Sequence, residues 1–211
     1  MSGPAFLAIL GAGGHARVLL SVMRANRLSV DGCISPDAPN ALWPGDVPWL
    51  GGDEVMSGLD ICRSQLINGI GSTGDTDRRQ RVFDAAKSKG FDFLSIRHAS
   101  AIIADGVSLG EGTQILPRVI VQTGCRIGNN AILNSGCIIE HDSVIGDHCH
   151  IAPGACLSGS VVIEHGAHIG VGAVLKQGIR VGANAIVGAG AVVLRDVANE
   201  STVVGNPARP L

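Results

Sequence analysis

Tyrosine is absent from this 211-residue chain, and aromatic residues together reach only 3%. Branched aliphatics, not stacked rings, must therefore do most of the packing. Charge is also scarce: 16 basic and 18 acidic residues leave a net charge of −2, with nothing to attract nucleic acid or an anionic membrane. No apolar run approaches a membrane span, and Met1 to Leu10 lacks the basic start and long apolar core of a signal peptide. With 45% hydrophobic residues, a disordered chain is excluded as well. Of the six cysteines, Cys125, Cys137 and Cys149 recur at a small, inward position, and Cys33, Cys62 and Cys156 show no metal-ligand spacing. All six are read as reduced and structural, which suits a cytoplasmic address. A metal on His148 and His150 finds no third ligand, so no metal is expected.

What the chain has in plenty is a period of six. Every sixth residue from Ile103 to Val193 is Ile, Leu or Val, through Ile115, Ile127, Ile139, Ile151, Ile163, Leu175 and Val187. Four places after each stands a small or β-branched residue, such as Thr113, Cys125, Cys137, Cys149 or Ala191. Glycine often follows the aliphatic residue directly (Gly110, Gly128, Gly146, Gly170, Gly182, Gly188), where it is expected to ease the turn. A period of six fits neither a helix nor plain strand alternation. It predicts a parallel β-helix in which three hexapeptides close one triangular coil, the aliphatic residue pointing to the axis.

The first hundred residues follow another rule. Phe6–Leu10 reads as a buried strand, Gly11-Ala-Gly-Gly14 as a tight turn, and His15–Asn26 as a helix. Strands over Val30–Ile34, Gln65–Ile70 and Phe91–Ile96 and a helix over Asp77–Lys89 complete a small parallel, Rossmann-like α/β sheet. Pro36–Gly52 reads as a loop over it. Two domains are expected, 1–98 and 99–211.

The candidate site residues follow from these elements. A glycine-rich turn at a helix N-terminus can hold phosphate on converging N–H groups, although Gly11 to His15 lacks the full dinucleotide fingerprint and a bare tight turn is the alternative. Asp37 and Gly71 fall after the second and third strands, at the edge where open α/β sheets bind ligands. Arg78 can approach a phosphate or simply be an exposed helix charge. In the repeats, His150 and His168 are one coil apart and should stack, as should Asp147 and His165; His148 and His165 read as surface residues. His141 occupies an outward corner beside Asp142, where packing gives no reason for it. It can serve as a proton acceptor oriented by a carboxylate, or be merely solvated.

The hexapeptides, Gly11-Ala-Gly-Gly-His15, Ile139-Glu-His-Asp142 and the ending Val204-Gly-Asn-Pro-Ala208 together resemble the bacterial sugar acyltransferases of the left-handed β-helix class. These include nucleotide-linked 4-amino-sugar N-acetyltransferases and sialic acid O-acetyltransferases. The resemblance implies a homotrimer with active sites between subunits and acetyl-CoA along the β-helix. It implies Gly13, Gly14 and His15 at the phosphates of a nucleotide-linked sugar, UDP being favoured, with Asp37 near the nucleoside. His141 is implied as general base, Asp142 as its partner (where the amino-sugar enzymes tend to carry Glu) and Asn134 as a polar active-site residue. His150, Gly159, Val171 and Ala189 match positions that meet acetyl-CoA, His150 near the thioester carbonyl. A covalent route through Cys137 is disfavoured by its inward slot. Sugar O-acetylation and a silent nucleotide-binding scaffold are the alternative activities.

Overall fold

The computed structural model describes residues 6–211. Its N-terminal part is a five-stranded, all-parallel sheet in the order β3-β2-β1-β4-β5. The strands are β1 (Phe6–Leu10), β2 (Gly32–Ile34), β3 (Trp49–Gly51), β4 (Ser64–Asn68) and β5 (Asp92–Phe93). Side chains alternate along β1. Leu7 and Ile9 pack with Leu19 and Met23 of α1 (Gly14–Ala25), whereas Ala8 and Leu10 face Phe83 and Ala86 of α2 (Asp77–Ser88). Burial on both faces is what a parallel sheet between helices requires. The expected loop over residues 36–52 ends in β3, an added edge strand.

The expected strand Phe91–Ile96 is two elements. After β5 the chain leaves the sheet, and β6 (Ile96–Arg97) is already a rung of the second architecture, paired with Gln114–Ile115. From there the chain winds as a three-sided parallel β-helix of two-residue strands, each bonded to the strand eighteen places on, as Ile139 to Leu157, until the last coil, where Ile186 pairs with Thr202, sixteen places on. The aliphatic series and the small residues four places later form one continuous core, from Ala101 to Val203. Only the first coil is loose, with Leu109 still 42% exposed.

Glycine plays a different part from the one expected. The glycine after the aliphatic residue does not turn the chain; it lets adjacent coils touch. A Cβ on Gly146 would lie 2.7 Å from the backbone nitrogen of His165, and one on Gly170 2.6 Å from that of Ala189. The turn itself is made two residues later, in the left-handed region, by Gly136, Gly154 and Gly172 but also by Asn130, Asp142, His148 and Asn184. Asn and Asp tolerate that region best among non-glycine residues.

The three faces differ outwardly. One presents Gln114, Ile132, His150, His168 and Ile186, the first four buried beneath the N-terminal domain. A second presents an unbroken apolar ladder, Ile102, Ile120, Ile138, Cys156, Val174 and Val192. The third carries Ser108, Arg126, Val144, Val162 and Arg180. We refer to these as the covered, apolar and polar faces.

Two substitutions separate the glycine roles. Gly146→Ala should lower stability by about 1–3 kcal/mol through overpacking. Gly154→Asn, at a left-handed corner with open space around it, should stay within about 1 kcal/mol of the parent. Thermal unfolding of both variants at one protein concentration checks the difference.

Candidate active site

The carboxyl ends of β1, β2 and β4 open into a cavity of about 870 Å³ that reaches down to the β-helix. Gly11, with a φ of 89°, turns the chain out of β1. Gly13 then begins α1 with no side-chain cap and no acidic residue in the first turn. The free N–H groups of that turn and the helix dipole therefore favour an anion. Gly71 must be glycine because a Cβ there would stand 2.9 Å from the Cβ of His15. Gly13, Gly14, His15, Asp37, Gly71 and Arg78 all line this one cavity, and Asn134 and His150 of the β-helix form its floor. Asp37 and Arg78 are exposed to it.

Beneath the cavity lies a residue that sequence reasoning missed. Arg79 is fully buried. Its Nε donates to the Asn130 carbonyl at 3.1 Å, and its Nη1 to those of Asn68 and Ile70 at 3.0 and 2.8 Å. It thereby ties α2, the loop after β4 and a corner of the β-helix together. Burial pulls its guanidinium down to about 9, so it remains charged at neutral pH. Arg79, Phe83 and Ala86 share the buried face of α2, so an arginine in an apolar slot was the available signal.

Three histidines meet where the domains join. His15 Nε2 lies 2.7 Å from Gln114 Oε1; burial first, then the charge of Arg79, lowers its pKa to about 4. His150 Nδ1 is 2.8 Å from Ser72 Oγ and its Nε2 is 3.0 Å from Asn134 Nδ2. Burial, helped by His168, His15 and Arg79, lowers its pKa to about 3. His168 stacks edge-on against it, centroids 4.9 Å apart, as the eighteen-residue spacing predicted. Gln114 stands in that same register two coils below His150, a signal that the spacing offered and that went unused. His148 does not lie at the surface as expected. It is buried, edge-on to Phe83 at 5.5 Å and to His165 at 5.1 Å, and pairs with Asn130 at 2.8 Å. His165 is half-buried and meets Gln80 at 3.1 Å. Both are covered by α2, which no repeat pattern could announce.

His141 and Asp142 stand apart from this cavity, at the edge between the apolar and polar faces. His141 Nδ1 is 2.9 Å from Asp142 Oδ2, and the histidine side chain is 49% exposed. Asp142 has a φ of 61°, which suits a short polar side chain. In the neutral ring the carboxylate, which can only accept, holds the proton on Nδ1 and leaves Nε2 as the acceptor. Gly159, one coil above, makes room for the ring: a Cβ there would lie 2.6 Å from Nε2. Val171 and Ala189 are exposed and stack, eighteen residues apart, on the other edge of the apolar face, above Ser135. The expected acetyl-CoA positions are thus divided within one chain, with Gly159 above His141, Val171 and Ala189 across the apolar face, and His150 at the floor of the cavity. Cys137 is fully buried and its thiol is pushed up to about 12 by burial, so it offers no thiolate for acyl transfer. Among the described residues, no helix is long and apolar enough to cross a membrane, and no cluster of His, Cys, Asp or Glu could hold a metal ion.

Residues 106–141 and 124–159 match the family described as bacterial transferase hexapeptide (six repeats). No curated protein matches the sequence. Among solved structures the chain is similar to PerB from Caulobacter crescentus in complex with CoA and GDP-perosamine. The two are 34% identical, over 98% of this chain and 97% of that one, with a TM-score of 0.90. That enzyme, a perosamine N-acetyltransferase, has also been solved with one histidine replaced by asparagine or by alanine. The acetyltransferase domain of PglB from Neisseria gonorrhoeae, in complex with acetyl coenzyme A, is 29% identical over 99% and 100% of the two chains, TM-score 0.89. WeeI from Acinetobacter baumannii is 29% identical over 98% and 99%, TM-score 0.87.

The buried histidines make stability depend on pH. An unfolded histidine titrates near 6.5, whereas His150 in the folded chain holds out to about 3 and His15 to about 4. Between those limits the unfolded chain binds protons that the folded one refuses. Stability is therefore complete above pH 6.5 and falls on acidification by about 1.4 kcal/mol per pH unit for each such group. Urea midpoints between pH 6.5 and 4 should drop steeply for the parent and less steeply for His150→Gln.

Proposed function

Because the chain belongs to the hexapeptide-repeat sugar acetyltransferases of the left-handed β-helix class, enzymes that use acetyl-CoA, we propose that it N-acetylates a nucleotide-linked 4-amino-4,6-dideoxy sugar. The observation that carries the reading is the single cavity joining an uncapped helix N-terminus to Asn134 and His150. A pyrophosphate held at Gly13, Gly14 and His15 would direct the attached sugar toward the β-helix, with Asp37 left for the nucleoside and Arg78 for a phosphate. Residues 1–98 then bind the sugar nucleotide, and 99–211 supply acetyl-CoA and the base. UDP is the nucleotide first expected; that PerB binds GDP-perosamine supports GDP as the other candidate.

In this reading the sugar amine attacks the thioester carbonyl, the amine proton passes to His141 Nε2, and as the C–S bond breaks the protonated His141 returns that proton to the sulfur, so that CoA leaves as the thiol. Asp142 fixes the tautomer and offsets the charge that His141 acquires. A base of this kind contributes about 10²- to 10⁴-fold in rate. The proposed base is remote from the cavity of its own chain, and this supports the homotrimer. The apolar face separates the edge bearing Ser135, Val171 and Ala189 from the edge bearing His141. Three chains packed by their apolar faces about a common axis would bring one chain's His141 edge to its neighbour's Asn134 edge. Acetyl-CoA would then lie between them.

Three measurements test the proposal. CoA release should require a nucleotide-linked amino sugar, and thermal shifts with UDP, GDP and dTDP should single out one nucleotide. His141→Ala should fold and assemble normally yet lose about 10²-fold or more in kcat; near-parental turnover would remove His141 from the chemistry. Ile138→Arg, which places a charge on the apolar face, should give monomers by analytical ultracentrifugation, with sugar binding retained and turnover lost.

A further inference from the structure

Ser72 belongs to no motif, yet the hydrogen bonds around it determine which way its hydroxyl proton points. Asn134 Oδ1 accepts the backbone N–H of Ser135 at 2.8 Å, and this settles which end of the side-chain amide is oxygen. The amide nitrogen Nδ2 therefore faces His150 Nε2 at 3.0 Å. Since Nδ2 can only donate, Nε2 must accept and carries no proton. His150 is buried against the edge of His168 and held neutral, its pKa being about 3. Its one ring proton must then be on Nδ1, where it is donated to Ser72 Oγ at 2.8 Å. A hydroxyl whose oxygen accepts this bond keeps its own proton for another acceptor. Ser72 lines the cavity, next to Gly71 and the turn bearing His15.

We infer that Ser72 is a substrate-binding residue, donating its hydroxyl proton to an oxygen of the nucleotide-linked sugar, and that the chain Ser135–Asn134–His150 positions it to do so. The inference rests on the nucleotide-sugar reading of the cavity. It gives His150 a task other than the acetyl-CoA contact expected of it: with Nε2 unprotonated, the ring has no proton to offer a thioester carbonyl. The occupant must present an acceptor oxygen, as a sugar-bearing phosphate or a sugar hydroxyl does. His150 acts through Ser72 and is a positioning residue.

Two experiments test this. In ¹⁵N-histidine-labelled protein at pH 7.5, with the signal assigned by its loss in His150→Gln, His150 should show the Nδ1–H tautomer. An Nε2–H tautomer or an imidazolium would overturn the relay without reference to activity. In kinetics, Ser72→Ala should raise KM for the sugar nucleotide by about 10- to 100-fold, the range for a hydrogen bond to a charged acceptor. KM for acetyl-CoA and kcat should stay within about twofold, and Ser72→Thr, which keeps the hydroxyl, should restore much of the affinity. If Ser72→Ala also weakens binding of the bare nucleoside diphosphate, the acceptor is phosphate; if only the sugar nucleotide is weakened, it is a sugar oxygen. An unchanged KM for the sugar nucleotide, or a rise confined to acetyl-CoA, overturns the assignment. Absence of CoA release by the parent with any amino sugar would count against the activity, and the tautomer measurement would still judge the relay.

Discussion

Every functional position in the β-helix is fixed by the hydrogen-bonded stacking of one coil on the next. From Ile96 to Val193 each two-residue strand bonds to the strand eighteen positions away, and only the last coil shortens that step to sixteen, at Val181 to Val197 and Ile186 to Thr202. A residue's place in the sequence therefore gives both its height along the axis and its face. The aliphatic core drives the winding, but close contact between coils makes it rigid. That contact depends on glycine where the next backbone approaches and on left-handed corners that Asn, Asp and His can also occupy. Because corners accept polar residues at small cost, chemistry can be placed there without disturbing the core.

The join between the domains is polar where one might expect it greasy. A buried guanidinium, held by three carbonyl oxygens, links helix, loop and β-helix. Thr76 donates to the Gly166 carbonyl at 2.8 Å, and Gln114 to that of Asn68 at 2.7 Å. Such bonds add less net stability than apolar packing of equal area, but leaving one unmade is costly, so they admit few alternative dockings. A cavity whose walls come from one domain and floor from the other needs that uniqueness, since a small shift would part Ser72 from His150.

Much of this was legible in the sequence, and the part that was not has a physical cause. Strict periodicity exposed the β-helix, its core and the stacking of His150 on His168. The Gly11–His15 turn and the strand-end residues Asp37 and Gly71 announced a pocket because parallel sheets place such residues at one edge. Period alone misassigned the glycines, since it shows where a residue recurs but not what lies above it. His148 looked like a surface residue because the helix that covers it belongs to the other domain. Ser72 was invisible for the same reason, its partner His150 being remote in sequence and across the join; Arg79 left only its place in the apolar stripe of α2 as a signal. His141 and Asp142 were readable as a pair, and Gly159 takes its meaning only from the ring beneath it.

The eighteen-residue coil also restricts how such a protein can change length. Inserting one whole coil would lengthen the prism while keeping every azimuth, whereas inserting a single hexapeptide would rotate all later residues by a third of a turn. Asn134 and His141 lie within one coil, on opposite edges of the apolar face, so no in-register insertion fits between them. Loops and tails can drift in evolution, and coils can be gained beyond the site, but the spacing from Asn134 to His150 is locked by geometry.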